Sequence, residues 1–121
     1  MSFDLAVWHS PIPEDVYEAQ KIYEQICEAG LQPNILSEKK IASFLNEVLK
    51  IYPALEDLDE KDLDNPERAV WSDTPRATMG GVIFSIRWSV VDVVADFIEE
   101  RAHQYDLVVY DPQESYVITP G

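Results

Sequence analysis

A chain of 121 residues that is 46% hydrophobic and 26% charged has room for one folded domain and too little for two. Its 23 acidic side chains against 9 basic ones give a formal charge of −14, which argues against binding a phosphate backbone, a task for Lys and Arg. No apolar run approaches the ~20 residues of a membrane span, and the single cysteine, Cys27, excludes an internal disulfide or a Cys-rich zinc site.

The opening Met1-Ser2-Phe3-Asp4-Leu5 lacks the basic and apolar stretches of a secretory signal, so a cytoplasmic location is expected. Residues Phe3 to Trp8 alternate, with Phe3, Leu5 and Val7 on one face and Asp4, Ala6 and Trp8 on the other, which predicts a strand. Ser10-Pro11-Ile12-Pro13 breaks it and opens a helix. Proline loses nothing in a first turn, and Glu14 and Asp15 suit the positive helix end. Val16, Ala19, Ile22, Tyr23, Ile26 and Cys27 form its apolar stripe, and Gly30 is its left-handed cap. After the connector Leu31-Gln32-Pro33-Asn34, Ser37 is expected to cap a second helix. Its stripe, Ile41, Phe44, Leu45, Val48, Leu49 and Tyr52, is the most regular in the chain, and Pro53 ends it.

Residues 54–67 change in character. Glu56, Asp57, Asp59, Glu60, Asp62, Asp64 and Glu67 stand against Lys61 alone, which predicts an irregular acidic loop with one turn around Leu55 and Leu58. Ala69-Val70-Trp71-Ser72 reads as a short strand. Gly80-Gly81 then releases Val82 to Trp88, whose alternation marks it as the central strand. Ser89 and Asp92 have capping-box spacing ahead of a third stripe, Val90, Val93, Val94, Phe97, Ile98, Ala102 and Tyr105. Leu107 to Tyr110 is a strand, Asp111-Pro112-Gln113-Glu114 turns, and Ser115 to Thr119 returns as a hairpin partner.

The order β-α-α-β-β-α-β-β predicts one α+β domain over residues 1–121. Its expected form is an antiparallel-dominated four- or five-stranded sheet with three helices on one face, a ferredoxin-like variant. The opposite sheet face, carrying Trp8, Ile83 and Arg87, is then solvated or a binding surface.

Little in the chain points to chemistry. The acidic loop fails as a calcium site: position 61 is Lys, the glycine of such loops is missing, and Arg68 stands where the bidentate Glu belongs. It is a solubilising segment or a docking surface for a basic partner. Cys27, on an apolar stripe, reads as a small buried hydrophobe, and His9 as a surface or capping histidine. No phosphate loop, zinc-protease helix or nucleophile elbow occurs, so no catalytic residue, metal or cofactor is expected. The tryptophans read as core, or as interface anchors where exposed beside acids.

Three stretches carry a resemblance: Phe-Asp-Leu-Ala-Val-Trp (3–8), Ile-Arg-Trp-Ser (86–89) before a Val-rich helix, and Leu-Val-Val-Tyr-Asp-Pro-Gln (107–113). Together they resemble a group of small acidic bacterial proteins, several of them similar to the immunity partners of polymorphic or contact-dependent toxins. The resemblance implies a non-enzymatic immunity or antitoxin-like protein that neutralises a basic toxin domain of the nuclease class. Charge complementarity makes Glu56, Asp57, Asp59, Glu60, Asp62 and Asp64 the expected contact surface, with Trp71 as anchor and the chain a monomer or homodimer. Two alternatives stand beside it. One is a small ligand-binding module or enzyme on the open sheet face, with His9, Arg87 and Tyr110 converging. The other is a homo-oligomeric structural or regulatory protein.

Overall fold

The computed structural model describes residues 2–32 and 34–120; Met1, Pro33 and Gly121 lie outside them, the proline of the expected connector included. Within these residues the strands are β1 (Ser2–Trp8), β2 (Trp71–Asp73), β3 (Ala77–Thr78), β4 (Gly81–Arg87), β5 (Val108–Asp111) and β6 (Tyr116–Ile118). The α-helices are α1 (Val16–Glu28), α2 (Ile35–Ile51) and α3 (Val91–Gln104). The fold is α+β with an entirely antiparallel six-stranded sheet in the order β2-β4-β1-β5-β6, β3 sharing the outer edge of β4.

β1, rather than β4, is the central strand. It pairs with β4 from Ser2↔Arg87 to Trp8↔Gly81 and with β5 from Ala6↔Tyr110 to Trp8↔Val108. β1 and β2 consequently run parallel with β4 between them, and β4 and β5 run parallel with β1 between them. This is the interleaved pairing of a ferredoxin-like sheet, extended by β6 on one edge. The two-residue β3 has no counterpart in the sequence reading.

The helices lie on both faces, which overturns the expectation of three on one. Leu5, Val7, Phe84 and Ile86 pack with Ile41, Phe44 and Val48 of α2 and Val94, Ile98 and Ala102 of α3. Ala6, Trp8, Val108 and Tyr110 pack on the other face with Ala19, Ile22 and Ile26 of α1. An amphipathic stripe shows that a helix has a buried side, and says nothing of which sheet face receives it. Gly81 fits this second layer because an added Cβ would come within 2.8 Å of Ile26 Cδ1. The same face turns polar along β1, from Trp8 and Ala6 to Asp4 and Ser2. It does so along β4 as well, from Gly81 and Ile83 to Ser85 and Arg87. Helix α1 covers the apolar half and leaves the polar half to water.

Cys27 is exposed, contrary to expectation. At ~100° per residue it lies about 80° round the helix from Ala19, whereas Ile22 and Ile26 fall within about 60° on the other side. The helix starts also differ in detail. Asp15 caps α1, its carboxylate accepting Glu18 N–H at 2.9 Å. Asn34 caps α2, accepting from Ser37 N–H at 3.0 Å, so Ser37 lies inside the first turn. A 3-10 turn, Trp88–Val90, leads into α3, and no side chain caps it, so the Ser89–Asp92 spacing forms no box. Gly30 closes α1 at φ +83°, as expected, with its N–H on Gln25 C=O at 3.0 Å.

Phe44 and Phe97 hold unequal places in the α2–α3 layer. Phe44 is fully buried edge-on to Phe84, their ring centroids 5.9 Å apart. Phe97 is half-buried, between Tyr52 and the Arg101 guanidinium. Phe44→Ala is expected to lose about 3–5 kcal/mol and Phe97→Ala clearly less, read as the shift in urea midpoint at constant slope.

Candidate interaction surface

The acidic segment is a braced structure. Leu55–Asp57 and Glu60–Asp62 each form a single 3-10 turn, and Leu55 packs against the α2–α3 core cluster. Thr74 Oγ1 accepts from Leu55 N–H at 3.1 Å and donates to Glu56 Oε1 at 2.5 Å. Arg87 donates to Leu63 C=O at 3.0 Å, tying the middle of the segment to β4. Its end is held by Asn65, whose C=O accepts from Arg68 N–H at 3.0 Å and Ala69 N–H at 2.7 Å.

These braces divide the six acids expected at the surface. Glu56 is drawn down onto Thr74, with Arg76 3.4 Å away. The Thr74 hydrogen bond, ahead of Arg76, holds its carboxyl below the usual range. Asp62 is half-buried and 3.9 Å from Arg68. Asp57, Asp59, Glu60 and Asp64 are exposed and have no ion-pair partner among the described residues.

Trp71 is not available as their anchor. It is fully buried, stacked on Phe84 at 5.5 Å between centroids, and its indole N–H donates to Tyr52 C=O at 3.0 Å. It lies opposite Ile86 in the ladder, so its ring points into the α2–α3 layer. The exposed tryptophan is Trp88, 48% accessible, with Phe3 edge-on against it at 5.2 Å. Its place at the end of an alternating strand concealed this exposure, because the chain turns into the 3-10 segment there.

His9, Arg87 and Tyr110 do not converge. Arg87 pairs with Ser2 at one end of β1 and His9 follows Trp8 at the other, about 20 Å away at ~3.3 Å per residue. Tyr110 is buried beneath α1 with its hydroxyl on Gln20 Oε1 at 2.5 Å. Trp8, expected on an open face, is fully buried there too, its indole N–H donating to Pro11 C=O at 2.7 Å. A cleft of about 440 Å³ lies beyond this end of the sheet, lined by Ser10, Pro11, Gln25, Leu31, Gln32 and Asn34. None of the three residues lines it, and no cationic or acidic side chain does.

Compared with protein-family models, curated proteins and solved structures, the chain matches none. Its chemistry therefore rests on its own side chains. No helix is long and apolar enough to cross a membrane, and no group of three or more His, Cys, Asp or Glu among the described residues is placed to hold a metal ion.

One titrating group joins two layers. His9 Nδ1 lies 2.7 Å from Oγ of Ser37, which is 2% exposed in the first turn of α2. Desolvation, then the nearby Lys40, lowers the His9 pKa from 6.5, with Asp106 opposing. Lys40 itself is held 3.7 Å from Asp106. Because the folded pKa lies below the unfolded value, the unfolded chain takes up the proton first. Stability is therefore expected to fall as pH drops below ~7 and through the folded pKa. His9→Asn keeps a polar atom near Ser37 without titrating, and should flatten that fall in denaturation curves measured from pH 7.5 to 5.

Proposed function

We propose that this protein is a non-enzymatic, immunity-type inhibitor, acting in the cytoplasm, whose acidic segment docks on the basic substrate-binding surface of a toxin domain of the nuclease class. The observation that carries this reading is the braced set of Asp57, Asp59, Glu60 and Asp64. They are exposed, without an ion-pair partner among the described residues, and carried on a segment tied down at Leu55, Leu63 and Asn65. A nuclease holds phosphates with Lys and Arg, so carboxylates on a fixed support compete for the same place. The overall charge of −14 adds long-range attraction that speeds encounter and is screened by salt. Preorganisation favours this use, since a segment already ordered loses less conformational freedom on binding. Glu56 and Asp62, engaged by Thr74, Arg76 and Arg68, act at the margin of the surface, and Trp71 supports it from within the core.

The test begins with co-purification of the chain with the product of the adjacent open reading frame. Asp57→Asn, Asp59→Asn, Glu60→Gln and Asp64→Asn are then combined in one variant. Its unfolding free energy should stay within about 0.5 kcal/mol of wild type, as for exposed groups without structural partners. Its association rate in stopped flow should fall roughly tenfold or more at low salt, with a flatter salt dependence. An unchanged rate and slope would remove the acidic segment from the interface.

A further inference from the structure

The two edges of the sheet end differently. Outside β4, the pairing strand is interrupted: β2 and β3 share that edge, Thr74-Pro75-Arg76 lies between them, and the register shifts between Trp71 and Asp73. Proline, irregular register and charge are the usual devices that blunt an edge. The other edge is β6, paired only with β5 among the described residues, and Ser115 to Pro120 carry no charged side chain.

The direction of its backbone groups follows from Gln113. Asp4 N–H donates to Gln113 Oε1 at 2.7 Å and Asp4 C=O accepts from Gln113 Nε2 at 2.8 Å, so even-numbered residues of β1 bond toward β5. Backbone groups alternate in direction along a strand. Tyr110 and Val108 therefore bond to Ala6 and Trp8, and Val109 and Asp111 to Ile118 and Tyr116. Val117 directs its N–H and C=O away from the sheet, and Thr119 lies one residue past the end of β6, where an added strand would continue that phase. The Val117 side chain packs with the α1 cluster and Ile118 with the α2–α3 cluster. Both core layers thus run out to this edge, and an added strand would extend each.

Charge selects the occupant. Carboxylates gather around β5, the strand that β6 pairs with: Glu24 of α1 near Tyr110, and Asp96 and Glu99 of α3 near Asp111. Glu114 lies in the turn just before β6. A second copy would carry the same overall charge of −14, and the repulsion between the two chains opposes self-pairing.

We propose that the β6 edge accepts an extended, lysine- or arginine-bearing segment of a partner protein as an added strand, hydrogen-bonded to Val117 and Thr119 and flanked by the carboxylates of α1 and α3. Strand addition supplies affinity through main-chain bonds and specificity through alternating side chains. This surface is at the opposite edge of the sheet from the acidic segment, goes beyond the proposed inhibitor function and does not rest on it.

The probe is the blocked peptide Lys-Val-Lys-Val-Lys-Val, titrated into the full chain and followed by amide NMR, beside the same peptide with Glu for each Lys. Val117→Pro and Thr119→Pro each remove one outward donor while leaving the ladder to β5 intact, because proline is tolerated where the N–H faces solvent. The unperturbed amides of each variant report that it is folded, and Thr119→Pro carries the test should Val117→Pro not fold. Expected are saturable shifts centred on Val117 and Thr119, slowed exchange of the Val117 amide, and at least tenfold weaker binding to either proline variant. The Glu peptide should not bind, and the variant neutralised at Asp57, Asp59, Glu60 and Asp64 should bind like wild type. Shifts centred on residues 54–67, equal binding by the proline variants, or a Val117 amide protected in a dimer of the free chain would each overturn the proposal.

Discussion

β1 is hydrogen-bonded along both edges and, from Leu5 to Trp8, buried on both faces, and the rest of the structure is arranged to satisfy it. A buried strand cannot leave backbone N–H or C=O groups without partners, since each orphan costs on the order of 1–3 kcal/mol. β4 serves one edge over all seven residues. β5 serves only Ala6 to Trp8, because the chain turns away after Asp111. Gln113 closes the gap with its side-chain amide, which stands where a peptide group of a longer β5 would be. That amide is itself fixed, since Asp111 Oδ1 accepts from Gln113 Nε2 at 2.6 Å and from the N–H groups of Gln113 at 2.9 Å and Glu114 at 3.1 Å. A turn thereby becomes part of the sheet.

Covering β1 twice also determines where the charge goes. With one face taken by α2 and α3 and the apolar half of the other by α1, carboxylates are displaced to outer helix surfaces, loop 54–67 and the sheet ends. A few are brought inward and satisfied. Glu47 bridges α2 and α3, ion-paired with Arg101 Nη1 at 2.9 Å and accepting from the Tyr105 hydroxyl at 2.6 Å. Arg101 also lies over the Phe97 ring, 5.3 Å from its centroid, while its Nε finds no partner. A chain with so few cations spends them on such ties, as with Arg87 on Leu63 and Arg76 on Glu56. The carboxylates left over make an unusually unbalanced surface, and the braces beneath loop 54–67 present part of it in a fixed arrangement.

Residue patterning by itself determined the elements: the alternation of 3–8 and 82–88, the stripes of three helices, the Gly30 stop, the hairpin after Asp111 and the character of loop 54–67. These signals are local, since side-chain period and turn chemistry are written within a few residues. Even the covering of both β1 faces is legible in retrospect, in Ala6 and Trp8 standing apolar opposite Leu5 and Val7. The tertiary structure alone decided the rest. Which face receives α1, which strand lies at the centre and which tryptophan stays wet depend on pairings between residues far apart in the chain. Trp71 and Trp88 are alike as sequence signals. Trp71 lies opposite Ile86 on the inward side of the ladder, whereas Trp88 falls where the strand has already given way to a turn. The support beneath the acids was hidden for the same reason: Thr74 and Arg87 become braces only once the sheet brings them beside loop 54–67.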